Sequence, residues 1–137
     1  MPFPPPSSPE APIHTLITAF FAAIHTQDWP TLRTLIVPTG HAILSRGLNE
    51  LNEGTDLHSV PLPALIDHLE GSKPFEEPIH DVKIMVDRDL ACVWAPFEIR
   101  VDGVKTATGT NVFTCLKREG VWRVSAVVDR NAGVVEE

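Results

Sequence analysis

The chain has no tyrosine, only two cysteines and no cluster of basic residues. The first absence removes any phenol as an acid or oxyanion donor. Cys92 and Cys115 are too few for a disulfide framework of the secreted kind. With 11 Lys and Arg against 18 Asp and Glu the net charge is −7, which argues against nucleic acid or an anionic membrane as partner. No apolar run approaches the roughly 20 residues that span a bilayer. The N-terminus carries prolines where a signal peptide has a basic start and an apolar stretch. A soluble, cytoplasmic protein is the expectation. The six histidines, at positions 14, 25, 41, 58, 68 and 80, show neither HxH nor HExxH spacing, and GxSxG, P-loop and GxGxxG strings are missing. A metal centre, a bound nucleotide or a serine hydrolase has no local support, and no cofactor is expected.

What is present is ordinary globular material: 137 residues, 43% hydrophobic and 21% charged, enough for one domain with its own core. The most informative stretch is 78–131, which reads as four β-segments joined by turns at Asp87-Arg88-Asp89, Asp102-Gly103 and Glu119-Gly120. Asp-Gly between β-branched runs is a strong hairpin signal, because a two-residue type I′ turn needs φ > 0 at both central positions. Glu-Gly supplies only one easy residue of that kind, which leaves a longer loop open there. The two central strands are long and must bend around something.

Upstream, residues 1–12 hold six of the 13 prolines and read as a flexible tail. Ile13, Leu16, Ile17, Phe20, Phe21 and Ile24 form one apolar helical stripe, opened by Ser8 with Pro9 or by Pro12. Asp28 caps a second short helix that Pro38 stops, and residues 41–46 alternate as a short strand. Residues 47–60 look like loop, and 63–69 form a third helix with Gly71 just past its end. Helices followed by an antiparallel meander argue an α+β fold with the helices on one face of the sheet. The domain is expected over 13–132, with a short tail at 133–137.

Strand alternation assigns faces. His80, Val82, Ile84 and Val86 share one face, turned toward the helices. A two-residue turn at Asp102-Gly103 pairs Cys92 with Phe113 and Trp94 with Asn111 on that same face. The cysteines then lie diagonally, roughly 7–8 Å apart, too far for easy disulfide geometry, and read as buried thiols. Pro96 marks a candidate bulge, which leaves open whether Phe97 and Ile99 or Glu98 and Arg100 point inward. His41 and Arg46 lie on opposite faces of their strand, so one of them at most faces the hollow of a regular strand. Asp129 and Arg130 read as a rim salt bridge.

The strings 89–97 (DLACVWAPF), 101–103 (VDG), 109–113 (GTNVF) and 120–124 (GVWRV) resemble the nuclear transport factor 2-like superfamily, particularly its SnoaL-like and lumazine-binding branches. The resemblance covers about residues 10–132. It implies a cystatin-like, cone-shaped curved antiparallel sheet wrapped around N-terminal helices. In some members the hollow is catalytic (ketosteroid isomerases, polyketide cyclases, scytalone dehydratases), and in others it only binds. It favours Phe97 inward, at a position where the family has tyrosine, and it implies dimers through the sheet face. No residue points to lumazine itself.

Three functions follow. One is a pocket protein for a small hydrophobic or cyclic molecule, with His41, Arg46, Trp94, Phe97, Glu98, Asn111 and Phe113 as candidate contacts. The second is a cofactor-free isomerase, cyclase or dehydratase, in which His80, Asp129 or Glu98 moves a proton beside a carbonyl. Asn111, a tryptophan N–H or Arg46 would then hold the oxyanion. The third is an interaction module with a filled hollow, a homodimer through a face bearing Ala91, Val93, Val112, Leu116 and Val127.

Overall fold

The computed structural model describes residues 8–133. Helix α1 (Ala11–His25) starts with Pro12 in its first turn and buries the expected stripe from Ile13 to Ile24. Residues 11 and 12 of the expected N-terminal tail are thus helical and 8–10 form the turn before them, while 1–7 and all of 134–137 lie outside the described residues. Asp28 caps α2 (Trp29–Thr34), accepting from the Thr31 N–H and hydroxyl. The strand expected at 41–46 begins earlier, so β1 spans Ile36–Arg46. Part of the expected 47–60 loop is strand β2 (Asp56–Pro61), an exposed edge with little apolar alternation to announce it. Helix α3 (Leu62–Glu70) buries Leu62 and Ile66.

The meander follows as β3 (Lys83–Asp87), β4 (Leu90–Val101), β5 (Val104–Arg118) and β6 (Val121–Gly133). The six strands form one curved, unclosed sheet in the order β2-β1-β6-β5-β4-β3. Only β1 and β6 run parallel; the other neighbours are antiparallel. All three hairpin turns are tight. Asp102 and Gly103 both have positive φ, and so do Glu119 and Gly120, so Glu119 accepts the left-handed conformation that the type I′ turn demands.

Two bulges set the faces. Thr106 is an extra residue in β5 between the pairs Ile99–Ala107 and Arg100–Lys105, and Ser125 is one in β6 between Thr114–Ala126 and Cys115–Val124. In each case the bulged hydroxyl bonds the opposite strand's carbonyl, Thr106 to Ile99 and Ser125 to Thr114. A single extra residue flips every side chain beyond it. Phe113 therefore pairs with Val93, and Asn111 with Ala95. Ala91, Val93, Ala95 and Phe97 are buried on the concave face, while Cys92 and Trp94 turn outward, opposite to expectation. Pro96 carries no bulge. Its carbonyl accepts from His80 N–H across the edge away from β5, so its missing donor costs β4–β5 nothing.

The concave face is closed by α1, whose Phe20 and Phe21 meet Phe113 edge-on with ring centroids 5.4 and 5.8 Å away. Phe97 lies over Gly109, where a Cβ would collide with the Arg130 carbonyl of β6, so this crossing requires glycine.

Candidate functional site

Between α3 and β3 the chain runs as a strap along the outer end of β4. Glu76 exchanges backbone hydrogen bonds with Arg100, and Glu98 N–H donates to the Pro78 carbonyl. This pairing imposes strand alternation on the strap, so Phe75, Glu77 and Ile79 turn inward while Glu76, Pro78 and His80 stay exposed. Asp81 then adopts positive φ and breaks the phase before β3. For that reason His80 does not share the inner face with Val82 and Ile84. It is exposed on the outer side, near enough to Glu98 to favour that residue's charged form.

Under the strap, between α3 and the ends of β1, β2 and β4, lies an open cavity of about 710 Å³. A smaller chamber of about 110 Å³ lies deeper, against α1 and the middle of β5 and β6. Leu44, Arg46, Leu65, Leu69, Phe75 and Ile99 line both, so the two form a stepped hollow with an apolar neck. The inner end is polar. Asn111 and Asp129 are cross-strand partners on β5 and β6, both buried. Arg46 follows Ala42 and Leu44 on the inner face of β1, and its Nη1 donates to Asp129 Oδ1 at 2.6 Å. The Ser45 backbone N–H donates to the same oxygen at 3.1 Å. Glu77 enters from the strap and accepts from Asn111 Nδ2 at 2.8 Å, while its own backbone N–H donates to His25 Nε2 at 2.9 Å.

Glu77 is the group this environment perturbs most. Burial raises its pKa to about 7; the Asn111 hydrogen bond opposes the shift, Asp129 adds to it and Arg46 opposes it weakly. A carboxyl that gains and loses a proton near neutrality, beside an amide donor and a guanidinium, can act as an acid or base on a molecule in the hollow.

Of the residues singled out in the sequence, Arg46, Asn111, Phe113 and Asp129 come together here. Asp129 pairs with Arg46 rather than with Arg130, which is exposed, because the Ser125 bulge turns Asp129 inward. His41 and Trp94 lie on the outer face of the sheet. Phe97 points inward, as the resemblance implies, but it is packed over Gly109 and does not line the hollow. Glu98 points outward, its carboxylate held below the usual range by Arg100 at 2.9 Å and by Lys105 at 3.8 Å. Glu77 went unrecognised in the sequence. Its signal is the alternation Phe75-Glu77-Ile79, one carboxylate on an otherwise apolar face.

Cys115 is buried inside, where desolvation pushes its thiol up to about 12, and Cys92 lies on the opposite face, so both are free. Among the described residues no group of His, Cys, Asp and Glu gathers to hold a metal, and no helix is long and apolar enough to cross a membrane.

No family model and no curated protein matches the chain. Solved structures do. An NTF2-like protein from Cytophaga hutchinsonii superposes with a TM-score of 0.70 at 16% identity, covering 93% of this chain and 99% of that one. An NTF2-like protein with a cystatin-like fold from Novosphingobium aromaticivorans gives 0.68 at 16% identity, over 90% and 80% of the two chains. An NTF-2-like protein of unknown function from Silicibacter pomeroyi gives 0.61 at 21% identity, over 88% and 93%. At such identities the likeness speaks to architecture, and it agrees with the helices and curved sheet described above. The chain has the NTF2-like, cystatin-like α+β fold.

Proposed function

We propose that the protein is a small-molecule-binding domain whose stepped hollow takes a largely apolar, cyclic ligand. The observation that carries this reading is the hollow itself: an apolar neck leading to four convergent polar side chains, Arg46, Glu77, Asn111 and Asp129. Its volume lies within the roughly 300–1,000 Å³ of ordinary ligand pockets, and mostly apolar walls with a few directed polar groups are what such sites use. The strings at 89–97 and 120–124 resemble the SnoaL-like branch and support that finer assignment as part of this proposal, to which a cytoplasmic setting also belongs. Native mass spectrometry of the purified protein tests it. A discrete adduct present in the parent and lost in Leu65→Trp, which plugs the neck, is the expected result; ligand retention in that variant would place the molecule elsewhere.

A second reading is favoured by Glu77. With a carboxyl poised near neutrality and Asn111 and Arg46 as donors, the same hollow suits cofactor-free proton transfer next to a carbonyl, as in an isomerase, cyclase or dehydratase. Deuterium uptake from solvent at the α-carbon of a bound cyclic ketone, abolished in Glu77→Gln, is the expected signature. Undiminished exchange in that variant would remove Glu77 from the chemistry.

We also propose a homodimer through the convex sheet face. The row Trp94, Val112, Val128 and Ile43 crosses four adjacent strands, and Trp94 and Val128 are 51% and 48% exposed. Ala91, Val93 and Val127, expected on this face, are inside, so Val112 and Leu116 are the members of the expected set that remain there.

A further inference from the structure

The chain is acidic, at −7, yet the ionisable side chains lining the outer cavity are all basic: Arg46, His58, His68 and Lys73. The two carboxylates of the hollow, Glu77 and Asp129, belong to the inner chamber. Lys73 is engaged at the rim by Asp102 at 2.8 Å. Arg46 is different. Both of its hydrogen bonds, to Asp129 Oδ1 and to the Ser45 carbonyl, leave from one nitrogen, Nη1. Its Nε and Nη2 donate to nothing among the described residues. Arg46 lines both chambers, so its side chain stands at the neck with these two nitrogens unused.

An Nε–Nη2 edge presents two parallel N–H groups, a geometry matched by two oxygens on one carbon. Building on the pocket reading above, we propose that the ligand is an apolar molecule ending in a carboxylate, which sits on the Nε–Nη2 edge of Arg46 with its body in the outer cavity. Leu44, Val60, Leu65, Phe75, Ile99 and Val101 supply the walls for that body. Asp129 already matches the single charge of the guanidinium, and Glu77 lies beyond it. The attraction left for an anion is therefore the pair of N–H donors on the free edge, which a carboxylate monoanion fits, whereas a phosphate dianion would add more uncompensated negative charge beside Asp129 and Glu77.

The test is isothermal titration calorimetry of the full chain with two matched pairs, octanoate against octanamide and naphthaleneacetate against naphthaleneacetamide. Each amide keeps the shape and loses the charge and the second acceptor oxygen. The expected result is that at least one acid binds about tenfold tighter than its amide, the scale of one charge-assisted pair. Arg46→Lys keeps a cation for Asp129 but removes the fork, so it should bring the parent's acid-to-amide affinity ratio down toward one. Equal affinity of acid and amide in the parent overturns the carboxylate assignment and leaves the pocket standing. An acid preference that survives Arg46→Lys overturns the role of Arg46 and moves the anion to His58 and His68. Failure of all four molecules to bind overturns the carboxylate inference, and the native-mass-spectrometry adduct decides the pocket reading separately. The parent's acid-to-amide ratio decides the ligand class even where the variant folds poorly.

Discussion

Asn111 and Glu77 meet across the inner chamber, the amide Nδ2 donating to Glu77 Oε2 at 2.8 Å. The bond ties the centre of the sheet to the strap, two segments that are 34 residues apart in the chain. It also fixes where a titratable proton sits at the polar inner end of the hollow. The energetics of the site follow from this contact and from the Arg46–Asp129 pair beside it.

The Glu77 carboxyl titrates at about 7 in the fold against 4.5 when exposed. Between those values the folded chain binds more protons than the unfolded one, so this group's contribution to stability falls as pH rises through that window and stays lost above it. Glu77→Gln removes the dependence and keeps an acceptor for Asn111. Urea unfolding at about pH 5 and about pH 8 should show the variant gaining on the parent by up to about 3 kcal/mol at the higher pH. An unchanged difference between the two pH values would place the carboxyl in water.

Asn111→Leu withdraws the donor that favours the charged form of Glu77, so the carboxyl should titrate higher than in the parent. Carbon-13 NMR of the glutamate carboxyls reads this directly. Stability at neutral pH should fall by about 1–3 kcal/mol, the cost of leaving a buried polar group unmatched.

The Arg46–Asp129 pair is asymmetric, with side chains 36% and 8% exposed respectively. Removing the partner of the buried member is the more expensive change. Arg46→Met leaves Asp129 with only the Ser45 N–H and should cost about 3–5 kcal/mol, toward the range for an uncompensated buried charge. Asp129→Asn leaves an arginine that can reach water, and should cost about 1 kcal/mol. Chemical denaturation of both single variants checks the order.

Much of the architecture was legible because it rests on local chemistry: the α1 stripe, the Asp28 cap and the Asp102-Gly103 turn are each written within a few residues. The faces of the sheet were not legible, since they depend on bulges at Thr106 and Ser125, residues with no conformational signature. Pro96, which looks like a bulge marker, is harmless because its missing N–H faces the strap. The same cause splits the site. Arg46, on a strand with regular alternation through 42–46, was a candidate from the start. Glu77 was missed because the strand character of its segment comes from pairing with β4, not from its own sequence. Asp129 was a candidate whose partner, Arg46, follows from the register.

The convex face offers the last prediction. Trp94 pairs with Lys83 on one side and Val112 on the other, and Val112, Val128 and Ile43 continue the row across β5, β6 and β1. Neighbouring Met85 is 70% exposed and Leu90 45%, so the apolar surface extends toward the β3 edge. Rows of this kind on a curved sheet are self-complementary under a two-fold axis and lose apolar area to water when left bare. Sedimentation velocity should find the parent chain as a dimer. Val128→Lys places a charge at the middle of the row, with its cationic end pointing away from the core, so the fold should survive while the dimer dissociates. A parent that sediments as a monomer at micromolar concentration would instead assign this face to a different partner.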